Sequence, residues 1–261
     1  MRSLPIPSGL MHLLGIIVGL GTLVLEAVLL CRAKQERLLM RFPFFYSYLA
    51  CMFLGTVAGF VAYWARPSVH PSVYWFHYLL TIVVEFAVLL EISDHIFQPF
   101  PAIRNLGRSL TILISVVLGT TYILPAILWA RGMRMGLLDF ALRASLTKAL
   151  ILAGLFYAAR HFGLKLGRNV AGLMLGFSIY LGVNIANFAC VERFGNLYAS
   201  ILWVMSPIAY TLCLVVWTGG LWEYAPMAGI RTPSAVSADQ SESLALELTR
   251  FNNRLSRFLH K

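Results

Sequence analysis

Residues 73–97 read VYWFHYLLTIVVEFAVLLEISDHIF, and their reading decides the fold. From Val73 to Leu90 a single formal charge, Glu85, interrupts an otherwise uncharged run. A helix rises about 1.5 Å per residue, so some twenty apolar residues cross the ~30 Å hydrocarbon core of a bilayer. The stretch therefore predicts a transmembrane helix with one acid near its middle.

Six more stretches of this kind lie on either side of it. Spans are predicted at 10–31, 44–64, 73–97, 109–130, 137–159, 169–190 and 197–220. The composition agrees, with 59% hydrophobic and 12% charged residues and a mean hydropathy of +0.76. Soluble domains average about one quarter charged residues. The expected fold is all-α: a polytopic seven-transmembrane helix bundle over 1–222. The first apolar run ends in Cys31-Arg32 without a small-residue cleavage site, so it reads as a span rather than a removable leader.

Orientation follows from the basic residues in the short loops, where positive charge stays on the cytoplasmic side. The loops after spans one, three and five hold nine Lys and Arg, among them Arg32, Arg41, Arg104, Arg160 and Arg168, against five on the other side. This predicts an outer N-terminus and an inner C-terminus. The net charge of +10 sits in loops and tail, which points to anionic headgroups at the cytoplasmic face and argues against nucleic acid. The four cysteines fall in or at the ends of four different spans, so no disulfide framework and no CxxC pair is implied.

Beyond Trp222, residues 223–240 are rich in Ala, Ser, Pro and Gly and read as a flexible linker. Residues 241–261 then place Leu244, Leu248, Phe251, Leu255 and Phe258 at steps of four, three, four and three, the seam of an amphipathic cytoplasmic helix. Two destinations fit: the inner leaflet, with Arg250, Arg254, Arg257 and Lys261 toward headgroups, or a short coiled coil with a protein partner. Within the spans, Pro125 and Pro207 predict kinks. Gly15-xxx-Gly19, Gly55-xxx-Gly59 and Gly172-xxx-Gly176 predict close helix packing inside one subunit.

Ionisable groups inside spans are the first candidates for function, because a charge at the bilayer centre costs at least ~2.5 kcal/mol. Glu85 in span three and Lys148 in span five each lie about twelve residues, or ~18 Å, from either end of their spans. Both spans run inward, so the two charges share a depth and are expected to face each other as a buried charge pair. A lysine stem is too short to snorkel from there.

Glu91, Asp94, His95 and Gln98 occur at i, i+3, i+4 and i+7, one face of the inner end of span three. This inner polar cluster is expected either to be neutralised by Arg32, Arg104 or Arg160, or to offer ligands for a divalent metal completed by His161 or Glu26. Tyr180, Asn184 and Asn187 in span six, with Ser206 and Tyr210 in span seven, are candidates for lining an outer cavity or for hydrogen bonds between helices. No catalytic motif is present and no cofactor is expected.

The pattern Arg41-Phe-Pro-Phe-Phe-Tyr-Ser-Tyr, the pair Tyr74-Trp75, Glu85, Glu91-Ile92 and Pro99-x-Pro101-x-x-Arg104-x-Leu-Gly107 resembles a family of seven-helix bacterial inner-membrane proteins that carries no assigned activity. The resemblance covers the first half of the chain and implies a bacterial inner-membrane location. Microbial rhodopsins share the topology, but span seven lacks their retinal lysine. The histidines of seven-helix membrane hydrolases are missing from that span too. Three functions are expected from these features: a sensory or regulatory membrane protein acting through a separate partner; a proton-coupled or small-solute transporter using Glu85 and Lys148; or a structural subunit of a membrane complex.

Overall fold

In the computed structural model the described residues are 8–66, 68–98, 100–118, 133–161, 163–164, 166–194, 196–225, 246–247 and 249–250. Of 8–16, 133–140, 194, 196–204 and positions 71, 75, 101, 102, 110, 115, 118 and 192, the backbone alone is described. The tail helix at 241–261 and the kink at Pro125 therefore lie outside the described residues, apart from a few helical positions near Glu247.

Helices are α1 (Ser8–Gln35), α2 (Leu38–Arg41), α3 (Pro43–Ala65), α4 (His70–Ile96), α5 (Pro101–Leu118), α6 (Met133–His161), α7 (Arg168–Phe194) and α8 (Asn196–Gly220). No β-strand occurs among the described residues. Among the described residues four segments are long and apolar enough to cross a membrane: Pro43–Ala65, Ser72–Ile96, Ala141–His161 and Arg168–Val191. The predicted spans match α1, α3, α4, α6, α7 and α8 within a few residues. The fourth differs, since its helix begins at Pro101 and not near 109. Proline suits the first turn, where its missing N–H costs no hydrogen bond, and the helix then continues through Arg104 and Arg108.

Each long helix packs on the next in chain order, and α8 returns to α1, which closes a ring. Helix α4 also touches α6 and α7 and so sits toward the centre. The core is apolar, yet burial departs from that of a water-soluble bundle: Glu26, Glu85, Glu91 and Lys148 are also buried, while Val24, Leu54, Val83, Leu150, Leu175 and Val215 face outward. Apolar faces turned outward and charges turned inward suit a hydrocarbon solvent.

The glycines explain the tightest contact. A Cβ on Gly172 would lie 2.8 Å from the Gly220 backbone, and one on Gly176 would overlap the Trp217 indole. With neither present, α7 and α8 approach closely, and Trp217 Nε1 donates to the Leu173 carbonyl at 3.3 Å. Trp217 is fully buried. Phe45 and Phe177 pack on it with ring centroids at 5.2 and 5.0 Å. Gly55 likewise leaves room for His77 of α4, whereas Gly59 meets nothing within 4 Å. Of the expected glycine pairs, Gly172 and Gly176 both serve packing within this chain, Gly55 does so without Gly59, and a Cβ on Gly19 would meet Phe60 at 3.8 Å.

Candidate functional site

Lys148 of α6 donates to Glu85 Oε2 of α4 in a direct ion pair, with both side chains 3% exposed. The ammonium also lies 5.8 Å from the centre of the Phe86 ring, within cation–π range. The expected pair is formed. Its location follows from topology: α4 is interior, so the middle of its apolar run points at neighbouring helices.

A second buried acid stands across the bundle. Glu26 of α1 is fully buried, and Tyr210 of α8 donates to its Oε1 at 2.8 Å. Its Oε2 has no hydrogen-bond partner among the described residues. Tyr180 of α7 links the two acids. Its side chain interacts with Glu85 and Asn184, and its ring meets Tyr210 edge-on with centroids 6.1 Å apart. The Tyr48 hydroxyl, buried and without a partner among the described residues, lies near Tyr180, Tyr210 and Glu85. Residues from six helices thus form one polar layer: Glu26, Tyr48, Glu85, Lys148, Tyr180 and Tyr210.

Sequence reading assigned Glu26 only a possible metal-shell role and gave Tyr48 none. Glu26 did leave a signal, as the one acid inside the first apolar run.

On the expected outer side of this layer, Asn187 donates to Ser206 Oγ at 3.1 Å, and Thr22 and Thr211 hydroxyls meet at 3.0 Å. Thr211 also donates to the Pro207 carbonyl at 2.9 Å, next to the kink-forming residue. Asn187, Ser206 and Tyr210 therefore bond between helices. Of the candidates for lining a cavity, Tyr180 and Asn184 remain turned to the central layer.

The inner cluster divides instead of converging. Glu91 reaches out of α4 to the start of α3, where its two oxygens accept from Phe44 N at 3.0 Å and Phe45 N at 2.9 Å. Helix α3 lacks its own side-chain cap, and a carboxylate from a neighbour satisfies two of its free amides and favours its positive end. His95 contacts the Glu91 carbonyl through Nδ1 at 2.8 Å and stacks on Phe42 with centroids 4.6 Å apart. Asp94 Oδ1 has no partner among the described residues, and Gln98 is exposed.

With Glu91 occupied by backbone amides, the expected ligand set does not assemble. Among the described residues no three His, Cys, Asp or Glu side chains are grouped to hold a metal ion. Arg32, one expected neutraliser of this cluster, turns elsewhere and pairs with Glu36 at 3.3 Å.

A third arrangement, which sequence reading missed, fastens the chain where it leaves α8. Asn169, at the start of α7, donates to the carbonyls of Gly220 at 2.9 Å and Glu223 at 2.7 Å and accepts from Ala225 N at 2.5 Å. Arg168 meets Glu223 Oε2 at 3.7 Å. Arg32 of α1 donates to the Trp222 carbonyl at 3.2 Å and lies over its ring at 4.9 Å. Arg41 lies over Tyr224 at 4.6 Å. Residues 222–225 are therefore tied to α1, α2 and α7, and the first residues of the expected linker are held in place.

Comparison with protein-family models, curated proteins and solved structures returns no match. The class of protein rests on the fold: an all-helical chain with four membrane-length apolar helices, outward apolar faces and an enclosed ionic layer, as in a multi-pass membrane protein.

Proposed function

We propose that the protein is a receptor-like, regulatory seven-helix protein of the bacterial inner membrane, with its N-terminus outside and its C-terminus inside, acting through a separate protein. The observation that carries this reading is the fastening of residues 222–225 to α1, α2 and α7 by Arg32, Arg41, Arg168 and Asn169. Any shift of those helix ends is passed to the cytoplasmic residues that follow. The Glu85–Lys148 pair supplies a lock for one arrangement of the bundle, because separating two charges in a low-dielectric interior is costly without water or a ligand to replace the partner. A ligand that binds better to the separated arrangement shifts the population toward it. The tail helix at 241–261 is the segment through which a partner is engaged.

A second reading, a proton-coupled or small-solute carrier, draws on the continuity of Glu85, Tyr180, Tyr210 and Glu26 across the bundle. Two measurements separate the readings. Spin labels at positions 225 and 104, in a cysteine-free protein in nanodiscs, report the distance from the exit segment to the inner end of α5. Two distance populations whose weights change in Lys148→Met support the regulatory reading, and one population unmoved by that variant overturns it. Proton flux into liposomes that disappears in Glu85→Gln would favour the carrier instead.

A further inference from the structure

Helices α6 and α7 flank a cleft of about 430 Å³ on the surface of the ring. Small residues, Ala149 and Ala153 on α6 and Ala171 on α7, make the trough, and the buried side chains of Leu152, Met174 and Leu181 form its floor. The cleft lies within two of the membrane-length apolar segments, Ala141–His161 and Arg168–Val191. In a bilayer crossed by these segments the cleft would face acyl chains.

Its charge at one end is what makes it more than a gap between helices. Along α6 the cleft residues 149, 153 and 156 continue on the same face to Arg160; along α7 the residues 182, 178, 175 and 171 continue to Arg168. Both walls thus end in an exposed guanidinium at the α6–α7 connection, at headgroup depth. Arg168 meets Glu223 Oε2 at 3.7 Å and donates through the same nitrogen to the Glu223 carbonyl at 3.3 Å, but half of its side chain is exposed, the ion pair is weak, and its planar fork carries further donors for another anion.

We propose that this cleft binds one anionic phospholipid, with an acyl chain in the trough and the phosphate between Arg160 and Arg168. The apolar floor alone accepts any chain; the two guanidiniums select the headgroup, and anionic lipids are abundant on the cytoplasmic face to which the basic loops assign this end. The choice of headgroup rests on the membrane orientation proposed above, but the site does not depend on the regulatory reading or on its distance measurement.

The test is native mass spectrometry of the full chain in mild detergent, titrated with phosphatidylglycerol or with phosphatidylcholine of the same chains. Wild type is expected to retain one phosphatidylglycerol in preference. Arg160→Gln with Arg168→Gln reduces that preference about tenfold or more, as the loss of two headgroup cations demands. Arg104→Gln with Arg108→Gln, in the first turns of α5, leaves it unchanged. Ala153→Trp, on the exposed wall, reduces retention of both lipids. Arg160→Gln alone leaves Asn169 and Glu223 untouched and is expected to lower the preference without loss of helicity. Equal retention of the two lipids by wild type, or an unchanged preference in the arginine variants, overturns the proposal. Release of phosphatidylglycerol by millimolar inorganic phosphate would assign the arginines to free phosphate and overturn it as well.

Discussion

Lys148 and Glu85, sixty-three positions apart in the chain, meet in a direct ion pair between α6 and α4 from which solvent is excluded. Removing one partner leaves the other buried and uncompensated. Glu85→Leu and Lys148→Met are each expected to cost about 3 kcal/mol, whereas the two combined cost less than either, because an apolar pair has no charge to desolvate. Reversible unfolding in mixed detergent micelles measures all three. A double variant as unstable as the sum of the singles would show that the two residues do not act as a pair.

Tyr210 and Tyr48 are both buried tyrosines with opposite expectations. Tyr210→Phe removes the one donor to Glu26 among the described residues and is expected to lose about 1 to 3 kcal/mol. Tyr48→Phe deletes a hydroxyl that bonds to nothing among the described residues and is expected to be neutral or slightly stabilising. The same unfolding measurement decides, and equal losses would contradict the assignment of partners.

The α7–α8 contact predicts a steep response to a single methyl group. Gly172→Ala places a Cβ against the Gly220 backbone, which cannot yield as a flexible side chain would, and about 1 to 3 kcal/mol should be lost. Gly154→Ala, with nothing within 4 Å, is the control and should not destabilise. Thermal midpoints of the two variants in one detergent test the contrast.

Glu91 predicts a local effect. Glu91→Ala strips two amides of α3 of their acceptors, so hydrogen exchange of a peptide covering residues 42–49 should accelerate while that of residues 173–181 does not. Glu91→Gln keeps one carbonyl acceptor and should fall between the two. Uniform acceleration over the whole chain would mean that the cap matters to global stability rather than to the start of α3.

Asn169 predicts release of the exit segment. Asn169→Leu abolishes three hydrogen bonds to residues 220–225, and exchange over those residues should rise with little change in α4. If exchange at 221–225 is unaltered, Arg32, Arg41 and Arg168 suffice to hold the segment.

What the chain order of residues determined by itself was helical class, helix position and depth. Apolar runs of membrane length announce helices because backbone groups in hydrocarbon must bond within their own segment, and two charges equally far from their span ends share a level. Glu85 and Lys148 were legible for that reason, as was the packing role of Gly172 and Gly176.

Only the tertiary structure decided which way each helix is rotated and which neighbour it meets. Glu91, Asp94 and His95 occupy one face by periodicity, yet the position of α3 draws Glu91 alone to the Phe44 and Phe45 amides. Glu26 and Tyr210 are separated by 184 positions, and the ring closure of α8 onto α1 brings them together. Asn169 looked like an ordinary first-turn residue until the end of α8 was placed beside it. Spacing along a helix is local geometry, whereas the partner of a buried polar group depends on side-chain shape across interfaces between distant segments, and glycine contacts such as Gly172 with Gly220 set those distances.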